Sequence, residues 1–306
     1  MPRLSGVKAA LAATLAMFVA ARTMGAAAQG AAPVPLVPAP SVCLPPGDIS
    51  DPSGAVTRNA AALAAADICN VSHTFTQDTL QWNLLVVRNR QRSGSVFWVV
   101  PHDDEGAAFD SAVASVREYG GTVVAVKTGG QRENAGRDPN RNFDRGSGRL
   151  CPSQPSHSTV FAREVLRWRE GQAPIVALHT NDPGFTGDKR SGMGTISIRL
   201  SSQRLKPFRA ARAIGRSPDD TMVYVTSQQP PEQNPELMGF VSRLNARRVN
   251  VLYEIVNAGS NDCSLSNYAV LENLGRYFNV EAINGDMEAQ RQIIRILMNE
   301  IGVEPL

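Results

Sequence analysis

The sequence has few histidines and, beyond its N-terminal stretch, no excess of charge of either sign. The chain of 306 residues contains four histidines and four cysteines. Three of its 31 basic residues and none of its 28 acidic residues lie in residues 1–28, so the remainder carries equal numbers of both. A balanced chain of this kind has no electrostatic reason to bind nucleic acid or an anionic membrane surface. We therefore expect neither of these partners.

Long apolar runs are also scarce. Residues 1–28 contain a basic start, a short apolar stretch and small residues around Ala27, which is the pattern of a signal peptide that is cleaved on export. The apolar stretch falls short of the roughly 20 residues that a membrane-spanning helix needs. Residues 29–47 are rich in proline and alanine, which indicates a linker or an extended arm. We expect a secreted or periplasmic protein without a membrane span, in which residues 48–306 form one domain.

The sequence also lacks the motifs of two common classes of hydrolase. No GxSxG elbow occurs, which argues against a serine hydrolase. No CxxC pair occurs either, and an even number of cysteines in an exported chain predicts two disulfides rather than a free cysteine nucleophile. Three pairings are possible, and the sequence does not choose between them. The four cysteines are Cys43, Cys69, Cys151 and Cys263.

Predicted strands alternate with predicted helices from about residue 80 onwards. Apolar runs predict strands at 80–88, 95–101, 122–126, 175–178, 222–226, 249–256 and 277–282. Helical periodicity and stop signals predict helices at 105–119, 158–169, 234–245 and 287–300. The first two strands are joined by a turn-rich segment and are candidates for a hairpin. The alternation predicts an α/β fold, a single domain with a mixed, mostly parallel twisted sheet covered by helices on both faces.

Two of the four histidines follow predicted strands. His102 comes directly after SVFWVVP, with Glu105 three residues later, and His179 ends PIVALH. In open α/β sheets, ligands bind outside the carboxyl ends of the strands. Two histidines and one glutamate form a catalytic zinc set that leaves a position open for water. The three residues are therefore candidate zinc ligands, with a hydrogen-bonded turn histidine as the alternative for His102.

Two further features call for a partner or a function. Arg132, Arg137 and Arg141 are concentrated in residues 130–144, and a buried guanidinium is the side chain that best matches a carboxylate. A solvated charged loop is the alternative. Glu254 lies in the apolar run VNVLYEIV, where a buried carboxylate is unfavourable unless something pairs with it. The alternative for Glu254 is an edge-strand residue that faces solvent.

These segments together resemble the zinc metallocarboxypeptidases of the carboxypeptidase A type, as in a secreted bacterial member. Carboxypeptidase A is itself a known example of a zinc site built from two histidines and a glutamate. The resemblance covers roughly residues 80–300. The shared order is HxxE, an arginine, DxNRN, a strand-end histidine and a late strand glutamate. In this sequence the corresponding residues are His102 and Glu105, Arg132, residues 138–142, His179 and Glu254.

The resemblance implies roles for residues around the metal and the substrate. One Zn²⁺ per chain would be bound by the three candidate ligands, and Asp138 would accept a hydrogen bond from a zinc-binding histidine and fix its tautomer. Asn140 and Arg141 would bind the terminal carboxylate of the substrate. Arg132 would stabilise the oxyanion, with Arg137 as an alternative because it lies nearer to DxNRN.

The general base and the lid tyrosine are less well matched to the family. The resemblance implies Glu254 as the base, with Glu281 in the next predicted strand as the second candidate. The mobile tyrosine that the family usually carries ahead of the base has no counterpart between residues 226 and 249. Tyr268 is the nearest substitute.

The function that the resemblance implies is hydrolysis. A zinc-dependent metallocarboxypeptidase would remove the C-terminal residue from peptides that end in a free carboxylate, using an activated water and a glutamate base. The predicted export makes cell-wall peptides a candidate substrate class. Two alternatives stay open, an N-acyl amino acid amidohydrolase of related fold and a non-catalytic peptide-binding module.

Overall fold

A computed structural model describes residues 42–185 and 194–306, which belong to the compact unit Leu36–Leu306. The predicted signal peptide and residues 29–41 of the predicted linker lie outside the described residues. Within the described residues, no helix has both the length and the apolar character needed to cross a membrane.

One sheet of nine strands runs through the domain. Its order is β1-β2-β4-β3-β5-β9-β7-β8-β6. Four of the eight pairings are parallel, namely β3 with β4, β3 with β5, β5 with β9 and β7 with β8. The α/β class, the single domain and the mixed sheet are thus confirmed. The strands are β1 Ile68–Gln77, β2 Leu80–Asn89, β3 Phe97–Val100, β4 Thr122–Lys127, β5 Ile175–Asn181, β6 Leu205–Phe208, β7 Met222–Ser227, β8 Val251–Ile255 and β9 Tyr277–Ile283.

Helices cover both faces of the sheet because the central strands are apolar on both sides. Alternate residues of a strand point to opposite faces, and Trp98 and Val100 of β3 join one core cluster while Phe97 and Val99 join the other. The first cluster packs under α1, α2, α3, α5 and α7, and the second packs under α4 and α6. The helices are α1 Ala55–Arg58, α2 Ala60–Leu63, α3 Gly106–Tyr119, α4 Val160–Leu166, α5 Pro235–Ala246, α6 Leu265–Leu271 and α7 Met287–Ile301.

The predicted hairpin of residues 80–88 and 95–101 is wrong. Strand β2 forms its hairpin with β1, which the sequence patterns did not reveal, and its other neighbour is β4. The β1–β2 register pairs Gln77 with Leu80 across a two-residue turn, and Asp78 adopts a positive φ of 55°. Two-residue hairpin turns favour residues that tolerate this conformation, and aspartate is one of them. Polar residues on the outer face of β1 hid its apolar face from the sequence.

Both predicted disulfides are present. Cys43 pairs with Cys69 and Cys151 pairs with Cys263. The first disulfide ties the chain before α1 to strand β1, and Leu44 pairs with Asn70 beside it. The described end of the predicted linker is therefore attached to the sheet. The second disulfide joins two loops that are far apart in sequence.

Candidate metal centre and active site

The parallel pairing of β3 and β5 brings two histidines to the same edge of the sheet. Val99 of β3 lies opposite Ala177 of β5, so the end of β3 lies beside the second half of β5. His102 follows β3 by two residues, and His179 is the fifth residue of β5. Both side chains are buried, and their ring centroids lie 5.0 Å apart. Both histidines thus lie at the carboxyl ends of their strands, as the sequence predicted.

Glu105 completes a group of three metal-binding side chains. It directly precedes helix α3, and its Oε1 lies 2.8 Å from Nδ1 of His102. Its Oε2 lies 3.3 Å from Nδ1 of His179. One ligand atom from each of the three residues lies within 4.8 Å of the others, and no second group of this kind occurs in residues 42–185 and 194–306.

His102 and Glu105 of this group shift each other's pKa values towards the charged forms. Burial alone would lower the pKa of His102, but the Glu105 carboxylate and hydrogen bonds to Asp138 and Glu105 raise it to about 9. Burial alone would raise the pKa of Glu105, but the two histidines hold it well below its usual range. An ionised carboxylate and two imidazoles are therefore buried together, and a metal ion that binds them would displace the proton from His102.

Asp138 fixes the orientation of the first histidine. Its Oδ1 lies 2.9 Å from Nε2 of His102 and also accepts a hydrogen bond from the Asn140 main-chain N–H at 2.7 Å. Asp138 precedes the short 3-10 helix Pro139–Arg141, which explains the second contact. A carboxylate at Nε2 leaves Nδ1 free to bind a metal.

A polar cleft opens onto the three candidate ligands. It contains most of the residues that the sequence singled out, together with Thr180, Asn181, Thr195 and Ile196, which sequence patterns did not single out. Thr180 donates its main-chain N–H to Oε2 of Glu105 at 2.8 Å. The only sequence signal for this contact is that Thr180 directly follows His179. The cleft is lined by His102, Glu105, Arg132, Asp138, Asn140, Arg141, His179, Thr180, Asn181, Thr195, Ile196 and Glu281.

Two of the three arginines reach this cleft and one does not. Arg132 donates from Nη1 to Oε1 of Glu105 at 2.8 Å. Arg141 lies at the end of the 3-10 helix, with a side chain that is 30% exposed. Arg137 instead pairs with Asp78 in the β1–β2 turn, at 3.2 Å, and is not among the residues that line the cleft. The geometry does not bring Arg137 to a substrate.

The second candidate for the base, rather than the first, lies beside the metal-binding group. Glu281 of β9 is paired in register with His179 of β5 and lines the cleft, whereas Glu254 does not. Glu281 is opposite Met222 of β7, while Glu254 is opposite Thr226 of the same strand. Four residues correspond to about 13 Å along the strand direction. The expectation that Glu254 faces the candidate ligands is not met.

Glu254 has structural partners of its own. Its carboxylate accepts hydrogen bonds from Asn267 at 2.9 Å and Ser266 at 3.0 Å, and Arg204 lies 3.3 Å away. It is buried, so the alternative of a solvent-facing edge residue does not hold either. Burial and the nearby Asp262 carboxylate raise its pKa despite these partners.

The remaining histidines and the substitute tyrosine lie elsewhere. His73 pairs with Glu164 and His157 pairs with Asp144, so each has an ordinary hydrogen-bonding role. Tyr268 lies in α6 with its ring 6.0 Å from that of Phe143. It is not among the residues that line the cleft.

No family model matches this chain, and no curated protein matches it. Solved structures do match. A metallo-carboxypeptidase from Burkholderia cenocepacia matches with 10% identity and a TM-score of 0.44, over 80% of this chain and 68% of that one. A metallo-carboxypeptidase from Pseudomonas aeruginosa, in complex with (2-guanidinoethylmercapto)succinic acid, matches with 13% identity and a TM-score of 0.43, over 81% and 67%.

The matched structures also include an enzyme with another activity. The succinylglutamate desuccinylase from Chromobacterium violaceum matches with 13% identity and a TM-score of 0.39, over 81% of this chain and 73% of that one. The chain is thus similar to metallocarboxypeptidase-like structures, the group that its motifs resemble.

Proposed function

We propose that this protein is a zinc-dependent hydrolase that removes the C-terminal residue from peptides. One observation carries the proposal: a group of two histidines and a glutamate lies in the same cleft as a further buried glutamate and two arginines. His102, Glu105 and His179 would bind the metal, and Glu281 would act as the base. The two arginines, Arg132 and Arg141, would provide positive charge for an oxyanion and for a substrate carboxylate.

The donor set suits zinc. Two imidazole nitrogens and one carboxylate are the ligands of many catalytic zinc sites. Nε2 of His179 is buried without a hydrogen-bond partner, and Nδ1 of the same ring faces Glu105. Bound by His102, Glu105 and His179, zinc would lower the pKa of a water molecule to about 7 and polarise a carbonyl oxygen.

The chain's own residues would carry the remaining steps. We assign the general base to Glu281, which would take a proton from the attacking water and deliver it to the leaving amine. Arg132 would stabilise the negative charge that develops on the carbonyl oxygen. Arg141 and Asn140 would bind the terminal carboxylate and so select the last peptide bond. Asp138 would hold His102 in the metal-binding tautomer.

The proposal extends to location and substrate. Two disulfides support export, because they persist in oxidising compartments. An exported carboxypeptidase would meet cell-wall stem peptides, which we propose as the physiological class. Digestion of defined muropeptides tests this part, and stem peptides that remain at full length would contradict it.

The experiment for the function combines metal analysis with a substrate panel. We expect about one zinc ion per purified chain, the content of a single-ion site, and a much lower content in the variant His102→Ala. The variant His73→Ala is the matched control, because His73 also pairs with a carboxylate but lies outside the cleft. Short peptides should be shortened from the C-terminus. Turnover of N-acyl amino acids alone would indicate an amidohydrolase, and a metal-free protein without turnover would indicate a binding module.

A further inference from the structure

The segment 262–265, which leads into helix α6, contacts both side chains that are proposed to bind the substrate's terminal carboxylate. The main-chain N–H of Leu265 donates to Oδ1 of Asn140 at 3.1 Å. Asp262, three residues earlier, has its Oδ2 3.8 Å from Nη2 of Arg141. The two cleft residues therefore meet one short segment, and the sequence motifs did not point to that segment.

The contact with Leu265 determines which end of the Asn140 amide faces the cleft. A side-chain amide has an oxygen that only accepts and a nitrogen that only donates. A main-chain N–H can only donate, so it must face Oδ1, and Nδ2 is then turned away from α6. No hydrogen bond within residues 42–185 and 194–306 engages Nδ2 of Asn140, a residue that lines the cleft.

We propose that the main-chain N–H of Leu265 is a positioning group for substrate binding, because it holds the Asn140 amide with its donor towards the terminal carboxylate. The inference rests on the proposed function. A carboxylate oxygen is attracted to an N–H donor and repelled by a carbonyl oxygen. With the amide free to rotate, part of the population would present Oδ1 to the substrate and bind it poorly.

The segment that carries Leu265 is held in place on several sides. Cys263 is bonded to Cys151, and its carbonyl oxygen accepts from the main-chain N–H of Phe143 at 3.0 Å. Ser264 caps α6 by accepting from the N–H of Asn267. These contacts make the start of α6 a fixed support rather than an adjustable one.

A pair of substitutions separates the N–H of Leu265 from its side chain. Leu265→Pro removes the N–H, and Leu265→Ala keeps it, while both remove apolar volume from the same core position. Proline suits the first residue of a helix. Ser264, which precedes it, has φ −71° and ψ 159°, the extended conformation that a residue before proline prefers.

The readouts are steady-state kinetics and direct binding on the zinc-loaded protein. The substrates are an N-acylated dipeptide with a free C-terminal carboxylate and its C-terminal amide, and the binding probe is 2-benzylsuccinic acid measured by calorimetry. We expect the KM of the carboxylate substrate and the Kd of the probe to be about tenfold higher for Leu265→Pro than for Leu265→Ala. The kcat values of the two variants should agree. Equal KM and Kd values for both variants would overturn the inference.

A second pair covers the case in which Leu265→Pro does not fold. Asn140→Asp keeps the acceptor for Leu265 but turns a negative oxygen towards the cleft, whereas Asn140→Ala removes the side chain. The aspartate variant should have the higher KM for the carboxylate substrate, and equal KM values would again overturn the inference. A wild-type protein that cleaves the carboxylate and the amide substrates equally would instead contradict the proposed carboxylate-binding site itself.

Discussion

Glu281 and His179 lie directly opposite each other on neighbouring parallel strands, near the ends of β9 and β5. Because parallel strands end at the same edge of a sheet, this register brings a buried carboxylate to the edge that carries the candidate metal ligands. Glu254 lies on β8, which runs parallel to β7 and therefore antiparallel to β9. Strand direction, rather than the surrounding sequence, distinguishes the two glutamates.

The assignment of the base predicts opposite outcomes for two matched variants. Glu281→Gln should lower kcat by about 10²- to 10⁴-fold, the usual contribution of general acid–base catalysis, and should leave the zinc content unchanged. Glu254→Gln should keep a kcat close to that of the wild type, because the glutamine can still accept from Asn267. Steady-state kinetics with parallel metal analysis would reveal the reverse pattern if Glu254 were the base.

The buried position of Glu254 predicts a dependence of stability on pH. Burial and the Asp262 carboxylate raise the pKa of Glu254, so the folded state binds the proton more tightly than the unfolded chain. The resulting stabilisation is complete below the unfolded-state pKa of about 4.3 and is lost as the pH rises through the higher folded-state pKa. Glutamine does not titrate, so the variant Glu254→Gln should not show this loss of stability with rising pH.

Denaturant unfolding at pH 4 and pH 7 measures that effect. The free energy of unfolding of Glu254→Gln minus that of the wild type should increase between the two pH values. Burial and Asp262 outweigh Arg204, which interacts with the ionised carboxylate and lowers the pKa of Glu254, so the effect of Arg204 is already part of the raised folded-state pKa. A difference that is constant, or that decreases towards pH 7, would disagree with a raised pKa.

Two arginines of one segment should respond differently to removal. Arg141→Ala should raise the KM for carboxylate-ended peptides by about 10-fold or more, since a hydrogen bond to a charged group contributes about 1.5–3 kcal/mol. Arg137→Ala should leave that KM nearly unchanged, because Arg137 pairs with Asp78 outside the cleft. A larger change in KM for Arg137→Ala would mean that Arg137 reaches the substrate after all.

Asp138 should influence zinc affinity without touching the ion. Asp138→Ala should weaken zinc binding about 10- to 100-fold, the usual effect of removing a carboxylate that orients a metal-binding histidine. Glu164→Ala is the control, because Glu164 also binds a histidine, His73, and both acid side chains are 11% exposed. Competition with a metal chelator measures the affinities. Equal affinities for the two variants would contradict the orienting role.

Much of the candidate site could be predicted from local patterns. An apolar strand followed by His102 and Glu105 has only a few ways to turn into helix α3, so spacing alone indicated that both side chains face the same side. The same holds for Asp138 and Asn140, which flank the proline that starts a short helix. Such features depend on chain geometry over a few residues, and sequence contains that information.

The rest could not be predicted because it depends on which strands become neighbours. The β1–β2 hairpin was missed because the outer face of β1 is polar, so its apolar face gave only a weak signal. The contact between Leu265 and Asn140 joins residues 125 positions apart, and no local pattern reports such a pairing.

The sequence by itself determined the α/β class, the two disulfides without their pairing, and the group His102, Glu105 and His179, because residue types and their spacing along strands and turns are local properties. Only the tertiary structure decided that Glu281 replaces Glu254 beside that group and that Arg137 turns away towards Asp78. The first outcome follows from strand order and direction, which place residues by long-range pairing and separate the two glutamates by about 13 Å along the strands. The second follows from the contact between Arg137 and the turn that joins β1 to β2.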